Sequence, residues 1–183
     1  MEMPMRTIML FAFLLGLWVS AGAATVEEDV MKQLVPIGKL RVGVAYAPAS
    51  TPVFVVKDAA GEVRGVPRDL GVALAKALSV PFEIIVAATT GELTDACSSG
   101  AIDIGFMPVD DERRKRLDFS PPYFVIESTY LVSVSSDIKT LADVDRPEVT
   151  VVGINGSTTM RAAGRSLKNA KLVAAKSVDE GWP

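Results

Sequence analysis

The chain has no histidine and a single cysteine, Cys97, among its 183 residues. Without histidine there is no Ser–His or Cys–His catalytic pair and no histidine-ligated metal, so neither a metal site nor a cofactor is expected. One cysteine excludes an internal disulfide. In the segment GELTDACSSG, Cys97 shares a helical face with Leu93 and reads as a small buried hydrophobe. Neither sign of charge dominates: 19 basic residues stand against 22 acidic ones, a net charge of -3. That leaves no electrostatic footprint for nucleic acid. The sequence also has no phosphate-binding glycine loop, no GxSxG nucleophile motif and no internal repeat.

Long apolar runs are scarce too. Ile8 to Val19 is too short for a comfortable membrane span. Arg6 precedes it, and Ala21-Gly22-Ala23 follows as an A-x-A cleavage pattern. Residues 1–23 therefore read as a secretory signal peptide, cut after Ala23 or Ala24, with an uncleaved anchor as the other reading. No cysteine follows the cut to carry a lipid. No other stretch is apolar enough to span a bilayer, so the mature protein is expected to be soluble outside the cytoplasm.

Apolar residues make up 49% of the chain, enough for one core or two small lobes. From Lys39 onward, strand and helix patterns alternate. LRVGVAY at 40–46 has the period of a strand, and Val53 to Val56 reads as a second. Asp58-Ala59-Ala60-Gly61 is a turn. Asp69 is expected to cap a helix whose Leu70, Leu74 and Leu78 stripe, flanked by Ala73 and Ala77, packs on a sheet. Pro81 ends it, and Phe82 to Val86 is apolar. Thr90 is placed as the cap of a helix ending at Gly100, and Ile102 to Phe106 as a buried strand. The order β-α-β-α-β implies a parallel sheet under helices, with ligands beyond the carboxyl ends of its strands.

After Pro121-Pro122 the pattern resumes. Glu127 to Val134 reads as a long strand, Thr140 to Val144 as a short helix and Val149 to Gly153 as a strand. A helix is expected from Thr158 to Leu167 and a strand from Leu172 to Ala175. Two α/β lobes follow, at 39–124 and 125–183, with the proline pair near the crossing. Ser177 to Glu180 has the S-x-x-E pattern that announces a helix. Gly181-Trp182-Pro183 then ends the chain, so a shortened second lobe is expected.

Seven consecutive charges, Asp110 to Arg116, follow the strand that ends at Phe106. Acids first and bases second suit a short exposed helix. Asp110–Arg114, Asp111–Lys115 and Glu112–Arg116 are i,i+4 pairs in the favourable order. Arg113 stands apart: it lies in the first turn at the mouth of a parallel sheet, where a guanidinium can grip a carboxylate with two hydrogen bonds.

Three segments, GVPRDLGVALAKAL, DIGFMPVDDERRKRLDFSPPY and VVGINGSTT, carry a resemblance. In this order and spacing the chain from about Gly38 resembles the family-3 extracellular solute-binding proteins, the periplasmic receptors of polar amino-acid ABC transporters. The resemblance implies a type II periplasmic-binding-protein fold, in which two α/β lobes close about a hinge over a small molecule. It implies that Arg113 holds the ligand carboxylate and that Ser157 and Thr158 meet it from the second lobe. It also implies that the backbone near Phe106 accepts the ligand amine and that Tyr46 lies in the loop supplying an aromatic wall. Ser157 serving only as a helix cap, and Tyr46 only as packing, are the plain alternatives.

Pro108 and Asp110 depart from the family, which commonly has hydroxyl residues there. Proline offers no amide to donate, and Asp110 puts a negative charge beside the clamp. The ligand is therefore left open between an amino acid, another small carboxylate, and a cation held by Asp110 or Glu127. The implied role is a monomeric periplasmic receptor that presents its solute to a membrane ABC permease. The alternatives are a dehydratase-type enzyme on the same fold, with Asp110 and Glu127 as candidate acids, a sensory domain, and a truncated remnant without function.

Overall fold

The computed structural model describes residues 27–47, 51–177 and 180; the expected leader at 1–23 lies outside them. Helix α1 (Glu28–Leu34) leads into β1 (Leu40–Ala45). β2 (Val56–Lys57) and β3 (Val63–Arg64) form a small antiparallel hairpin across the Asp58–Gly61 turn. Then come α2 (Val66–Ala77), β4 (Phe82–Ala87), α3 (Thr90–Ser98), β5 (Ile104–Gly105) and the single turn α4 (Asp111–Arg114). α5 (Leu141–Val144), β6 (Thr150–Ile154), α6 (Thr158–Ser166) and β7 (Lys171–Ala175) complete the order.

The three-stranded sheet runs β4-β1-β5, all parallel, with Val42 opposite Ile84 on one side and Ile104 on the other. β1 is central, so both of its faces must be apolar or small. Leu40, Val42 and Val44 pack with Ala75 of α2, while Ala45 packs with Leu93 of α3 and with Ile102. Gly43 lies on the α3 face because a Cβ there would sit 2.4 Å from Leu93 Cδ1. Arg41 ties β1 to the start of β5: its amide reaches the Asp103 carboxylate at 2.8 Å and its Nε the same oxygen at 3.0 Å. Cys97 packs against the α3-side core, and burial pushes its thiol up to about 11.

α2 differs from its expected form. It begins at Val66 behind the cap residue Gly65, so Asp69 lies within the first turn and does not cap it. Pro67 explains the earlier start, since proline's missing amide has no partner to lose in a first turn. The face on the sheet is Pro67, Gly71 and Ala75, with Leu74 and Leu78 at its margin; Leu70 is 38% exposed, and Ala73 and Ala77 are exposed. The helix thus approaches the sheet on its smallest residues. In α3 the cap is Thr89, which accepts from the Glu92 amide at 3.1 Å, and Thr90 is the first helical residue.

Some expected strands are shorter. Of Val53 to Val56 only Val56 enters a ladder, and of Ile102 to Phe106 only Ile104 and Gly105 do. The Phe106 amide still donates to the Gly43 carbonyl at 3.1 Å. Glu127 to Val134 is no strand: no neighbour pairs with it among the described residues, and its side chains are largely exposed, Val134 at 99%. A strand pattern without a partner ladder leaves its backbone to water.

The second α/β unit is smaller. β6 and β7 pair in parallel from Thr150↔Lys171 to Ile154↔Ala175. α6 packs over them through Ala163, while Val152 and Val173 remain about half exposed. Asp145 fixes the α6–β7 turn by accepting from the Lys168, Asn169 and Ala170 amides at 2.8, 2.7 and 3.0 Å.

The α2–β1 contact gives a test. A Cβ at Gly71 would lie 2.3 Å from Val42 Cγ1, on a β-branched core residue with no free rotamer. Gly71→Ala would gain roughly 1 kcal/mol of helix propensity, but overpacking costs about 1–3 kcal/mol and wins. Urea unfolding is expected to give a lower midpoint at unchanged slope.

Candidate functional site

The charged block is built differently from a simple exposed helix. Asp110 is the cap of α4, its Oδ1 accepting from the Arg113 amide at 3.0 Å. None of the three expected i,i+4 pairs forms. Asp110 is engaged elsewhere, Lys115 pairs with Glu112, Arg116 with Asp95, and Arg114 stacks over Phe119. One helical turn is too short to hold side chains four residues apart on a common face.

Arg113 lies inside, 2% exposed. Nη1 donates to the Pro108 carbonyl at 2.5 Å and to Thr158 Oγ1 at 2.8 Å. Nη2 donates to the carbonyls of Thr90 and Gly156, each at 3.1 Å. Its Nε is buried without a partner. Burial, joined by the nearby Arg161, pushes the guanidinium down to about 10, against the pull of Asp110, so it stays cationic at neutral pH. Every acceptor it touches is neutral.

Thr158 links this cation to the acid. It accepts from Arg113 and donates to Asp110 Oδ2 at 2.9 Å. Arg161 donates to the same Oδ2 through Nε at 2.9 Å and through Nη2, and to the Gly156 carbonyl at 3.0 Å. The Asp110 side chain is 4% exposed and Arg161 26%. Burial raises the Asp110 carboxyl, but the Arg113 amide, Arg161 and Thr158 outweigh it and bring it down to about 2. Two glycines abut where the units meet: a Cβ on Gly156 would lie 3.0 Å from Gly91 Cα. A cleft beside this contact is walled by Gly91, Thr94, Arg113, Gly156 and Arg161.

The structure therefore brings Arg113, Asp110 and Thr158 together. Ser157 caps α6, accepting from the Met160 amide at 3.1 Å. Phe106 packs against the α2-side core and meets Tyr123 edge-on at 5.9 Å between ring centroids. Tyr46 is 39% exposed, and its backbone joins Ala87 and Val55; no hydrogen bond from its side chain reaches the cluster among the described residues. Arg161 was not anticipated, although its place three residues after Thr158, on one face of a helix, is readable. The Thr90 and Gly156 carbonyls leave no side-chain signal. Among the described residues no group of acidic, histidine or cysteine side chains is arranged for a metal, and no helix is long and apolar enough to cross a membrane.

The parallel β-α-β-α-β unit, the second α/β unit and the arginine between them define a periplasmic-binding-protein fold of type II. The profile of bacterial extracellular solute-binding proteins, family 3, matches residues 40–180, and the chain belongs to that family. It is 32% identical over 148 residues to a glutamine-binding protein of Geobacillus stearothermophilus, covering 76% of this chain and 52% of that one. It is 27% identical to an arginine-bound mutant of ArgBP from T. maritima, at a TM-score of 0.65, covering 84% of this chain and 69% of that one. An ancestral amino-acid-binding protein, described as a precursor of cyclohexadienyl dehydratase, is 32% identical at a TM-score of 0.70, covering 83% and 67%. The chain spans about half the length of the curated relatives it matches.

The Asp110 contacts predict a pH response. The folded carboxyl lies at about 2, below its ordinary 3.8, so its stabilising contribution is complete above that ordinary value and is lost as pH falls through 2. The chemical shifts of Thr158 and Arg161 are expected to titrate together in that window. In Asp110→Asn that shared titration should vanish.

Proposed function

We propose that this chain captures an amino acid or a closely related small carboxylate outside the cytoplasm and presents it, as a monomer, to a membrane ABC permease. The observation that carries this reading is the buried Arg113 cation, surrounded by neutral oxygens at the meeting of the two α/β units. A buried cation without an anionic partner costs free energy that a ligand carboxylate relieves. In this reading residues 39–124 and 125–183 are the two lobes, and the export signal at 1–23 carries the protein to the periplasm. Thr158 and Ser157 meet the carboxylate from the second lobe. The backbone beside Phe106 receives the amine, and Tyr46 lies towards the mouth. The relatives' ligands, glutamine and arginine among them, are amino acids, which supports the ligand class.

An enzyme reading is weaker on chemical grounds. Asp110 is held ionised by Arg161 and Thr158 and has no proton to give near neutral pH. Glu127 is exposed on an unpaired segment.

Calorimetry on the full chain with L-glutamine, L-histidine and L-arginine tests the proposal. A charge-assisted hydrogen bond is worth about 1.5–3 kcal/mol, so Arg113→Ala is expected to weaken binding by roughly ten- to a hundredfold. Arg113→Lys should restore only part of it, since an ammonium has no planar fork. Binding unchanged in Arg113→Ala would overturn the proposal, as would no binding of any of the three by the unaltered chain.

A further inference from the structure

The chain has two asparagines, Asn155 and Asn169, and their surroundings differ. Asn169 is held in place. Its Nδ2 donates to the Asp145 carbonyl at 3.3 Å and to the Asp145 carboxylate at 3.4 Å. The next amide, that of Ala170, donates to Asp145 Oδ1 at 3.0 Å. Asn155 has none of this. It is exposed in the turn between β6 and α6, where the Ser157 amide donates to the Ile154 carbonyl at 3.1 Å. Among the described residues its side chain makes no hydrogen bond, and the following amide, that of Gly156, donates to no acceptor. Gly156 sits at φ +66, a conformation that glycine takes without steric cost. It also brings no Cβ to crowd the approach of the Asn155 side chain to the Gly156 nitrogen. Two guanidiniums face the same residue: Arg113 Nη2 and Arg161 Nη1 donate to the Gly156 carbonyl at 3.1 and 3.0 Å. Fixed positive charge beside a reacting group stabilises negative charge as it develops there.

We propose that Asn155 is a site of self-modification, at which the asparagine becomes aspartate or isoaspartate through a cyclic imide formed with Gly156. The Gly156 nitrogen gives its proton to solvent base and bonds to Asn155 Cγ. The Cγ–Nδ2 bond breaks, and Nδ2 leaves as ammonia. Water then opens the imide, and nothing is oxidised or reduced. Opening between Cγ and the Gly156 nitrogen gives aspartate. Opening between that nitrogen and the main-chain carbonyl carbon gives isoaspartate, whose main chain runs through Cβ and Cγ and is one atom longer. The position gives this step a consequence. Ser157, directly after the turn, caps α6 by accepting from the Met160 amide at 3.1 Å. Gly156 lies against Gly91, where even a Cβ would be crowded at 3.0 Å, so an added main-chain atom has little slack to enter. It displaces the Gly156 carbonyl from Arg161 and loosens the start of α6. The modification needs no bound solute and stands apart from the solute-binding reading.

The test holds the full chain in mildly alkaline buffer, in mildly acidic buffer, and in alkaline buffer with urea. Trypsin then separates the two asparagines, since Arg161 and Lys168 lie between them. Mass spectrometry of the peptides, with fragmentation that distinguishes isoaspartate from aspartate, reads each position. In the folded chain at alkaline pH, most of Asn155 is expected to become acid, isoaspartate included, with ammonia released, while Asn169 stays an amide. The rate should fall in acid, because the Gly156 nitrogen must lose its proton. Asn155→Gln, whose ring would need one more atom, should show no conversion over the same period. Conversion of Asn155 only in urea overturns the proposal, since the folded turn would then protect the residue. Equal conversion at both asparagines in the folded chain overturns it too. The converted chain is expected to melt at a lower temperature than fresh protein, with Asn155→Gln unchanged after the same treatment. An equal midpoint in converted and fresh chains removes the effect on α6.

Discussion

A guanidinium sealed inside a protein of this size is costly unless its hydrogens are matched. Arg113 meets most of that constraint with four oxygens drawn from three separate places: Pro108 before its own helix, Thr90 at the start of α3, and Gly156 and Thr158 around the start of α6, while its Nε keeps no partner. The two α/β units are held in register by this requirement. The first unit supplies the cation and two acceptors, and the second supplies the other two. Their meeting point favours glycine on both sides, because a Cβ on Gly91 or Gly156 would press on the other's backbone at 3.2 or 3.0 Å. The same pattern accounts for the charge of the site. Within the hydrogen-bonded cluster, two arginines face one aspartate, and the aspartate is taken by Arg161. One positive charge is left over, which is the complement of a single carboxylate.

The parallel sheet explains why the cation sits where it does. β1 runs between β4 and β5 with helices over both faces, so its apolar residues are spent on the core and leave the site to the loops. Beyond β5 the chain turns through Pro108 into a single helical turn capped by Asp110. That turn points Arg113 back towards the sheet. A longer helix would have allowed the i,i+4 pairing that the sequence suggests, with Arg113 still placed by the cap at Asp110.

Much of this was legible in the sequence. The β-α-β-α-β order, the singular position of Arg113 within the charged block and the α6 segment with Thr158 are carried by periodicity and by the motif spacing of the family. The failures have specific physical sources. Asp69 reads as a cap because acids favour that place, but Pro67 moves the start of α2 forward by occupying its first turn. The leucine stripe has the spacing of a sheet-facing side, yet close packing at β1 demands Gly71 and Ala75 there. Glu127 to Val134 has the composition of a strand, and composition cannot say whether a partner ladder exists. The carbonyls of Thr90 and Gly156 were beyond reach altogether, because a backbone oxygen is the same in every residue.

Asp110 is the residue on which sequence and structure bear most differently. Read alone, an acid beside an arginine expected to hold a carboxylate is a contradiction, and it leaves the ligand's charge open. In three dimensions the contradiction resolves, because α6 places a second arginine within reach. The pair Asp110–Arg161 is close to neutral as a unit, so it does not cancel the attraction of Arg113 for an anion. What it fixes is the Thr158 hydroxyl, which donates to Asp110 while accepting from Arg113. The aspartate thereby joins the two units through one hydroxyl and one guanidinium, and its charge is matched within the chain.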